Sequence, residues 1–236
     1  MKVFTIYGNT RQGSTYHAAQ LVMDGLKKHG EVICREFFLP RDLPHFCHGC
    51  FSCFLKGEQA CPHAQFVAPI VEAMEEADVV LLASPAYGLD VSGAMKAFID
   101  HLCFMWMSHR PNPAMLNKVG LSIVTTAGVG LRHSTKTLQN SLRFWGVKRI
   151  FSFKKAVAAS KWSEVSEKKR KQMTKKADAL AEKIAKAVSH IHRLPPPLLR
   201  SIMFWMMSGM MKKNTWSQVD RAHWVKQGWV KENHQA

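Results

Sequence analysis

The chain has 236 residues, 47% of them hydrophobic, which is enough for one well-packed domain and short for two. Aromatic and branched residues run from Val3 to Trp229, a spread that excludes a disordered chain. Thirty-three Lys and Arg against 17 Asp and Glu give +16, a balance that favours phosphorylated small molecules, nucleic acid or an anionic membrane as partners.

The opening residues, Lys2 to Tyr7, read as a buried strand that Gly8 stops before a secretory apolar core can form. Thr15 to His29 has helical spacing through Ala18, Leu21, Val22 and Leu26, and Glu31 to Phe37 is a second strand. Residues 38–66 hold prolines, glycines and most of the cysteines, so they read as an irregular excursion. A helix over Val67–Glu76 leads into Val79–Ala83, apolar on both faces as the centre of a covered parallel sheet requires. Ser92–Ser108 reads as helix, Val119–Thr125 as strand, Ser134–Trp145 as helix and Val147–Val157 as the fifth strand. This alternation predicts an α/β fold, a doubly wound five-stranded parallel sheet with helices on both faces.

Residues 163–189 form a basic amphipathic helix, and segment 161–193 carries ten Lys and Arg against four Asp and Glu. It is expected to be the solvated outer face of the last domain helix rather than a surface for an anionic partner. Leu194-Pro195-Pro196-Pro197 marks a boundary, so 1–193 is expected to be the domain and 194–236 a helical extension. The apolar stretch 198–211 is interrupted by Arg200 and falls short of the ~20 residues of a membrane span. It is expected to pack on its own domain or on a second subunit.

Ligands of open parallel sheets bind beyond the carboxyl ends of the strands. Gly8-Asn9-Thr10-Arg11-Gln12-Gly13-Ser14-Thr15 follows strand one with small residues, hydroxyls, an amide, a guanidinium and a helix start, a set suited to an anion. It is neither a Gly-x-Gly-x-x-Gly nor a Walker loop. Ser84-Pro85-Ala86-Tyr87-Gly88-Leu89 leaves the most apolar strand, and Thr125-Thr126-Ala127-Gly128-Val129-Gly130 leaves the next with two glycines that allow close main-chain approach to a flat ring. One phosphate loop and two ring-edge loops on one sheet edge describe a mononucleotide site with an extended aromatic base.

These residues resemble the NADPH-dependent FMN reductase branch of the flavodoxin-like superfamily, which includes the iron–sulfur flavoproteins. The first loop is similar to that family's phosphate loop, one residue shorter and with Asn9 in the serine place. Ser84-Pro85-Ala86-Tyr87 with Ser92-Gly93-Ala94-Met95-Lys96-Ala97-Phe98-Ile99-Asp100 is similar to its ring signature, with His101 where arginine is usual. His109-Arg110-Pro111 and the tail Asp220-x-x-x-Trp224-x-x-x-Gly228-Trp229 resemble one subgroup. The resemblance implies a flavodoxin-like fold and FMN, with phosphate held in the loop Asn9, Thr10, Arg11, Gln12, Gly13, Ser14 and Thr15. The ring is then bracketed by Pro85, Ala86, Tyr87 and Gly88 and by Thr126, Ala127 and Gly128. NAD(P)H is the implied cosubstrate, a homodimer the implied unit, and no protein acid–base pair is demanded because flavin carries the chemistry.

Cys47-x-x-Cys50-x-x-Cys53 followed by Cys61-Pro62 resembles a compact ferredoxin-type run, which implies a 4Fe–4S cluster. The family's acidic pair after the last cysteine is replaced by His63-Ala64, and zinc or no metal stand beside the cluster as alternatives. His45, His48 and His63 are expected at the surface unless a metal recruits them, and Cys34 and Cys103 are expected to be packing residues. Six cysteines, four of them within residues 47–61, indicate reduced thiols in a cytoplasmic protein rather than a disulfide scaffold. The functional expectation is an FMN-dependent NAD(P)H oxidoreductase reducing a small acceptor (a quinone, a nitro or azo compound, or free flavin). A flavodoxin-like or iron–sulfur electron carrier reduced by a protein partner is the alternative. Nucleic-acid or membrane binding through the Lys-rich helix ranks last, because that helix lacks interleaved aromatics.

Overall fold

The computed structural model describes residues 1–159 and 161–231. Five strands, β1 (Lys2–Tyr7), β2 (Ile33–Phe38), β3 (Val79–Tyr87), β5 (Val119–Thr126) and β6 (Arg149–Ala156), pair in parallel in the order β2-β1-β3-β5-β6. This is the flavodoxin-type doubly wound order, with its switch point between β1 and β3. A two-residue strand, β4 (Asp90–Val91), folds back antiparallel onto the end of β3.

Among the described residues eight α-helices cover the sheet, brace the cysteine excursion and form the tail: α1 (Ser14–Lys27), α2 (Ser52–Leu55), α3 (Ala64–Glu76), α4 (Gly93–His101), α5 (Leu131–Phe144), α6 (Glu167–Ser189), α7 (Leu198–Lys212) and α8 (Gln218–Lys226). Alternate strand residues face opposite sides, so one sheet builds two cores. Phe4, Ile6, Val80, Leu82 and Val124 pack against Ile70, Met74, Met95, Phe98, Leu138 and Trp145 of α3, α4 and the α5 end. Val3, Tyr7, Leu81, Leu121, Ile123 and Phe153 pack against α1 and α6 through Val22, Leu26, Ala177, Ala181 and Ile184. A Cβ at Gly25 would lie 2.8 Å from that of Ala181, so the glycine permits the close crossing of α1 and α6. Burial of each Val, Leu or Ile in these faces contributes about 1.5–3 kcal/mol.

Two expectations need correction. Ser92–Ser108 is not one helix: α4 ends at His101 and a 3₁₀ turn spans Cys103–Met105. The Met107 amide bonds the distant Phe144 carbonyl at 2.8 Å and the Arg110 amide turns back to Phe104 at 2.9 Å, and these bonds stand in place of helical ones. Pro85, Ala86 and Tyr87 are not loop residues but the last residues of β3: Pro85 still runs beside Thr125 of β5, and β4 pairs back onto Ala86 and Tyr87. The turn itself is Gly88-Leu89, with φ of 56° and 70°, the two left-handed residues of a type I′ hairpin.

The tail has its own small core. Met211, Trp224 and Val230 are buried against Phe204, Met207 and Trp229. Helix α7 also docks on the domain through Arg200, whose Nη1 donates to the carbonyls of Leu116 and Gly146 at 2.8 and 2.9 Å. The rest of its apolar surface faces outward, with Leu198 and Trp205 each 76% exposed. No helix among the described residues is long and apolar enough to cross a membrane.

Candidate functional site

The three strand-end segments meet at the switch point. The Gly8 amide donates to the Ala83 carbonyl at 2.7 Å, and the Ser92 hydroxyl donates to the Gly8 carbonyl at 2.6 Å. Asn9 Nδ2 donates to the Tyr87 hydroxyl at 3.1 Å, joining the first loop to the β3–β4 hairpin. The hydroxyls of Thr15 and Thr125 lie 2.7 Å apart, joining α1 to β5. The third loop closes on the second at Gly130 (φ 92°), where a Cβ would lie 3.1 Å from Leu89 Cα. Thr137 Oγ1 donates to Asp90 Oδ1 at 2.8 Å, fastening α5 to the hairpin.

The first loop has the features an anion needs. Gly13 is the N-cap of α1 with no side-chain capping bond, and the first turn contains no acidic residue. The leading amides and the positive end of the helix dipole therefore point into the loop without a carboxylate competing for them. Thr10, Arg11 and Gln12 are exposed around this helix start, while Asn9, Gly13 and Ser14 are half-buried and Thr15 is buried.

The ring-edge segments form an open apolar shelf beside it. Pro85 is buried and Ala86 half-buried, whereas Tyr87, Gly88, Leu89, Ala127, Gly128 and Val129 are exposed. Thr126 is half-buried, and its hydroxyl donates to the Val129 carbonyl at 2.6 Å and accepts from the Gly128 amide at 3.3 Å, which sets the shape of the third loop. Next to the shelf, Gly88, Asp90, Gly130, Arg132 and His133 line a shallow space of about 510 Å³.

Two residues that fix this site were quoted in the sequence motif but not assigned to it. Ser84 Oγ accepts from the Ser92 amide at 3.0 Å, and Ser92 caps α4 through Met95 while holding Gly8. Both serines are buried. Their signal was present in the Ser-Pro and Ser-Gly dipeptides, where a hydroxyl beside a bend or a helix start usually bonds backbone.

The cysteine excursion forms a second centre. Cys47, Cys50, Cys53 and Cys61 are free thiols lining one cavity of about 50 Å³ together with His63, Asp100 and His101. Burial pushes the Cys53 thiol up to about 11, and the neighbouring Cys61 thiol adds to the shift. The exposed Cys50 thiol is shifted down by its hydrogen bond to Ser52. His63 is not a surface residue as expected: it is buried against His101, whereas His45 and His48 are exposed. Cys34 and Cys103, expected in packing roles, are half-buried, and burial raises both thiol pKa values, that of Cys103 to about 11.

The tail braces this centre. Asp220, fully buried, accepts from Arg110 Nη1 and, at 2.8 Å, from His109 Nδ1. Arg110 Nη2 donates to the Cys53 carbonyl at 2.5 Å, Ser217 Oγ to the Phe54 carbonyl at 2.7 Å, and Trp224 Nε1 to the His109 carbonyl at 2.5 Å. The two short segments that resembled one subgroup in sequence therefore touch each other.

Comparison with known proteins agrees with this architecture. The sequence profile described as NADPH-dependent FMN reductase matches residues 1–164. An iron–sulfur flavoprotein of Archaeoglobus fulgidus is 31% identical over 199 residues, covering 83% of this chain and 84% of its own. An iron–sulfur flavoprotein of Methanocaldococcus jannaschii is 30% identical over 52% of this chain and 60% of its own. Among solved structures, an FMN-dependent NADH-azoreductase of Bacillus anthracis in complex with FMN superposes with a TM-score of 0.58 at 13% identity, over 77% of this chain and 100% of that one. A NADH:FMN oxidoreductase in its apo form superposes at 0.53 with 20% identity, over 78% and 89%. With a flavodoxin-like sheet and a family profile spanning most of its length, the chain belongs to the NADPH-dependent FMN reductase family.

Proposed function

We propose that this protein is an FMN-dependent NAD(P)H oxidoreductase that passes electrons through bound flavin to a small acceptor such as a quinone, a nitro or azo compound, or free flavin. The observation that carries this reading is the convergence of three strand-end segments at the switch point, with an acid-free helix start at one side and an apolar shelf at the other. Bound FMN would supply the two-electron chemistry, taking hydride from a nicotinamide and giving it up to the acceptor. The chain's own residues bind and orient. Asn9, Thr10, Arg11, Gln12, Gly13, Ser14 and Thr15 hold the phosphate with amides, hydroxyls and one guanidinium. Pro85, Ala86, Tyr87 and Gly88 and the segment Thr126, Ala127 and Gly128 bracket the ring, with backbone amides available to its polar edge. The excess of positive charge draws in the phosphates of the nucleotide.

Replacing Arg11 and Ser14 together with Ala tests the phosphate site. FMN binding should weaken by about 1.5–3 kcal/mol for the charged contact alone. Unchanged FMN affinity in that variant would refute the assignment.

A second reading concerns the cysteines. Four free thiols lining one cavity match the donor set of a 4Fe–4S cluster, and the relatives' names couple flavin with iron–sulfur. Cys47, Cys50, Cys53 and Cys61 would hold the cluster, which would relay single electrons to or from the flavin. The absorption spectrum of protein purified without oxygen separates flavin alone from flavin plus cluster.

The unit is a homodimer in the same proposal. The outward apolar face of α7, with Leu198, Leu199, Ile202, Trp205 and Met210, is the surface a second copy would cover.

A further inference from the structure

His63 and His101 both depart from the family pattern. His63 stands in the place of the acidic pair after the last cysteine, and His101 stands where arginine is usual. In the sequence these look like two unrelated changes 38 residues apart. The fold brings them together: His63 Nδ1 and His101 Nε2 lie 2.9 Å apart, and both rings are buried. Cys61 joins them, the three ligand atoms lying within 4.8 Å of one another.

The tautomers follow from the surroundings. His101 Nδ1 lies 2.7 Å from the Ala97 carbonyl, which can only accept, so the proton sits on Nδ1 and the Nε2 lone pair faces His63. A backbone carbonyl holding the far nitrogen of an imidazole is the outer-shell arrangement that aims metal-ligating histidines. His45 stacks on His63 at 4.5 Å between ring centroids, and His48 meets it edge-on at 4.8 Å, so two more rings screen the pair from solvent.

We infer that Cys61, His63 and His101 form a site for a single first-row divalent cation of the zinc class. A tetrahedral zinc ion sets its nitrogen ligands about 3.3 Å apart and nitrogen and sulfur about 3.6 Å apart, from bond lengths near 2.05 and 2.3 Å. The two histidines therefore open by a few tenths of an ångström, each ring turning its lone pair off the line between the two nitrogens toward the ion, and the sulfur closes in. Binding releases one proton, that of the Cys61 thiol; the His63 proton moves from Nδ1 to Nε2. The fourth position falls to water, or to another thiol of the cavity, which would release a second proton. Cys61 belongs to both donor sets, so the single ion and a 4Fe–4S cluster exclude each other, and the ion takes the cavity when no cluster is assembled. The site ties the cysteine excursion to the end of α4, whose start is set by Ser92 beside the phosphate loop.

The test uses the full-length, flavin-loaded protein, stripped of metal with a chelator and kept reduced, titrated with Co²⁺. Wild-type protein should take up one equivalent with the red ligand-field bands of a four-coordinate thiolate site, lying beyond the flavin absorption, and Zn²⁺ should displace it. His63→Ala and His101→Arg should each weaken Co²⁺ binding by more than about 100-fold, above the roughly 10–100-fold that loss of an outer-shell partner costs. FMN content is read in each sample, so a failure of the flavin reading shows separately from a failure of this one. Wild-type protein that takes up no Co²⁺ would overturn the proposal whether or not the variants fold. Uptake that survives both histidine changes but is lost on Cys50→Ser would also overturn it, by placing the ion among the four thiols.

Discussion

Removal of the Asp220 carboxylate, as in Asp220→Ala, should be among the most damaging single changes outside the two sheet cores. Asp220 is fully buried and Arg110 is 6% exposed, so the variant leaves a guanidinium in the interior without its counter-charge. Stranding one member of a buried pair costs about 3–5 kcal/mol. Arg110 keeps the Cys53 carbonyl at 2.5 Å and the exposed Glu58 carboxylate at 3.3 Å, which puts the expected loss at the lower end, about 3 kcal/mol. Urea unfolding followed by tryptophan fluorescence reads this directly, since Trp224 bonds the same segment through the His109 carbonyl. Alkylation of Cys53 should speed up at the same time, because its backbone is held by Arg110. A double variant, Arg110→Met with Asp220→Leu, should recover most of the stability by removing both charges. A loss below about 1 kcal/mol in Asp220→Ala would refute the view that the tail braces the cysteine excursion through this pair.

Gly8→Ala places a Cβ 2.6 Å from Ser92 Oγ and 2.9 Å from Ser84 Oγ, so it should cost about 1–3 kcal/mol and lower FMN retention; wild-type melting and full flavin content would contradict the packing described. Trp205→Glu puts a charge on the outward face of α7 and should shift the mass seen by light scattering from dimer to monomer, whereas an unchanged dimer would move the contact elsewhere. His223, whose Nε2 donates to the Pro111 carbonyl at 2.9 Å, has its pKa lowered by burial. The unfolded imidazole protonates near about pH 6.5 and the folded one lower, so the unfolded state binds more protons between the two values and stability falls as pH drops through that window. His223→Gln should flatten the fall of Tm between about pH 7 and pH 5, and an unchanged slope would assign the acid sensitivity to other groups.

The sheet was legible because its strands are buried on both faces. Val79 to Ala83 can be nothing but a central strand once helices flank it, and β1 begins and ends where the apolar run does. Helix ends fixed by distant bonds were less legible. Nothing in the apolar spacing marks the end at His101, where the chain tightens into 3₁₀ bonds before the Met107 amide reaches Phe144, more than thirty residues away. The extra length of β3 was hidden for a similar reason, since Pro85 reads as a strand breaker until β4 pairs back on the residues after it. At the candidate site the residue types were readable, and the loops meet as the strand-end rule requires. The buried partnerships were not: His63 with His101 and Arg110 with Asp220 are separated by 38 and 110 residues, and no periodicity links such positions.

The central claim is that reduced nicotinamide nucleotide delivers electrons to flavin held at the β1–β3 switch point. Stopped-flow mixing of the FMN-loaded protein with NADPH or NADH under anaerobic conditions tests it most directly. Flavin absorbance should bleach with at least one nucleotide and return when a quinone is added. Flavin that dithionite reduces but neither nucleotide bleaches would contradict the claim and identify the protein as an electron carrier reduced by a protein partner.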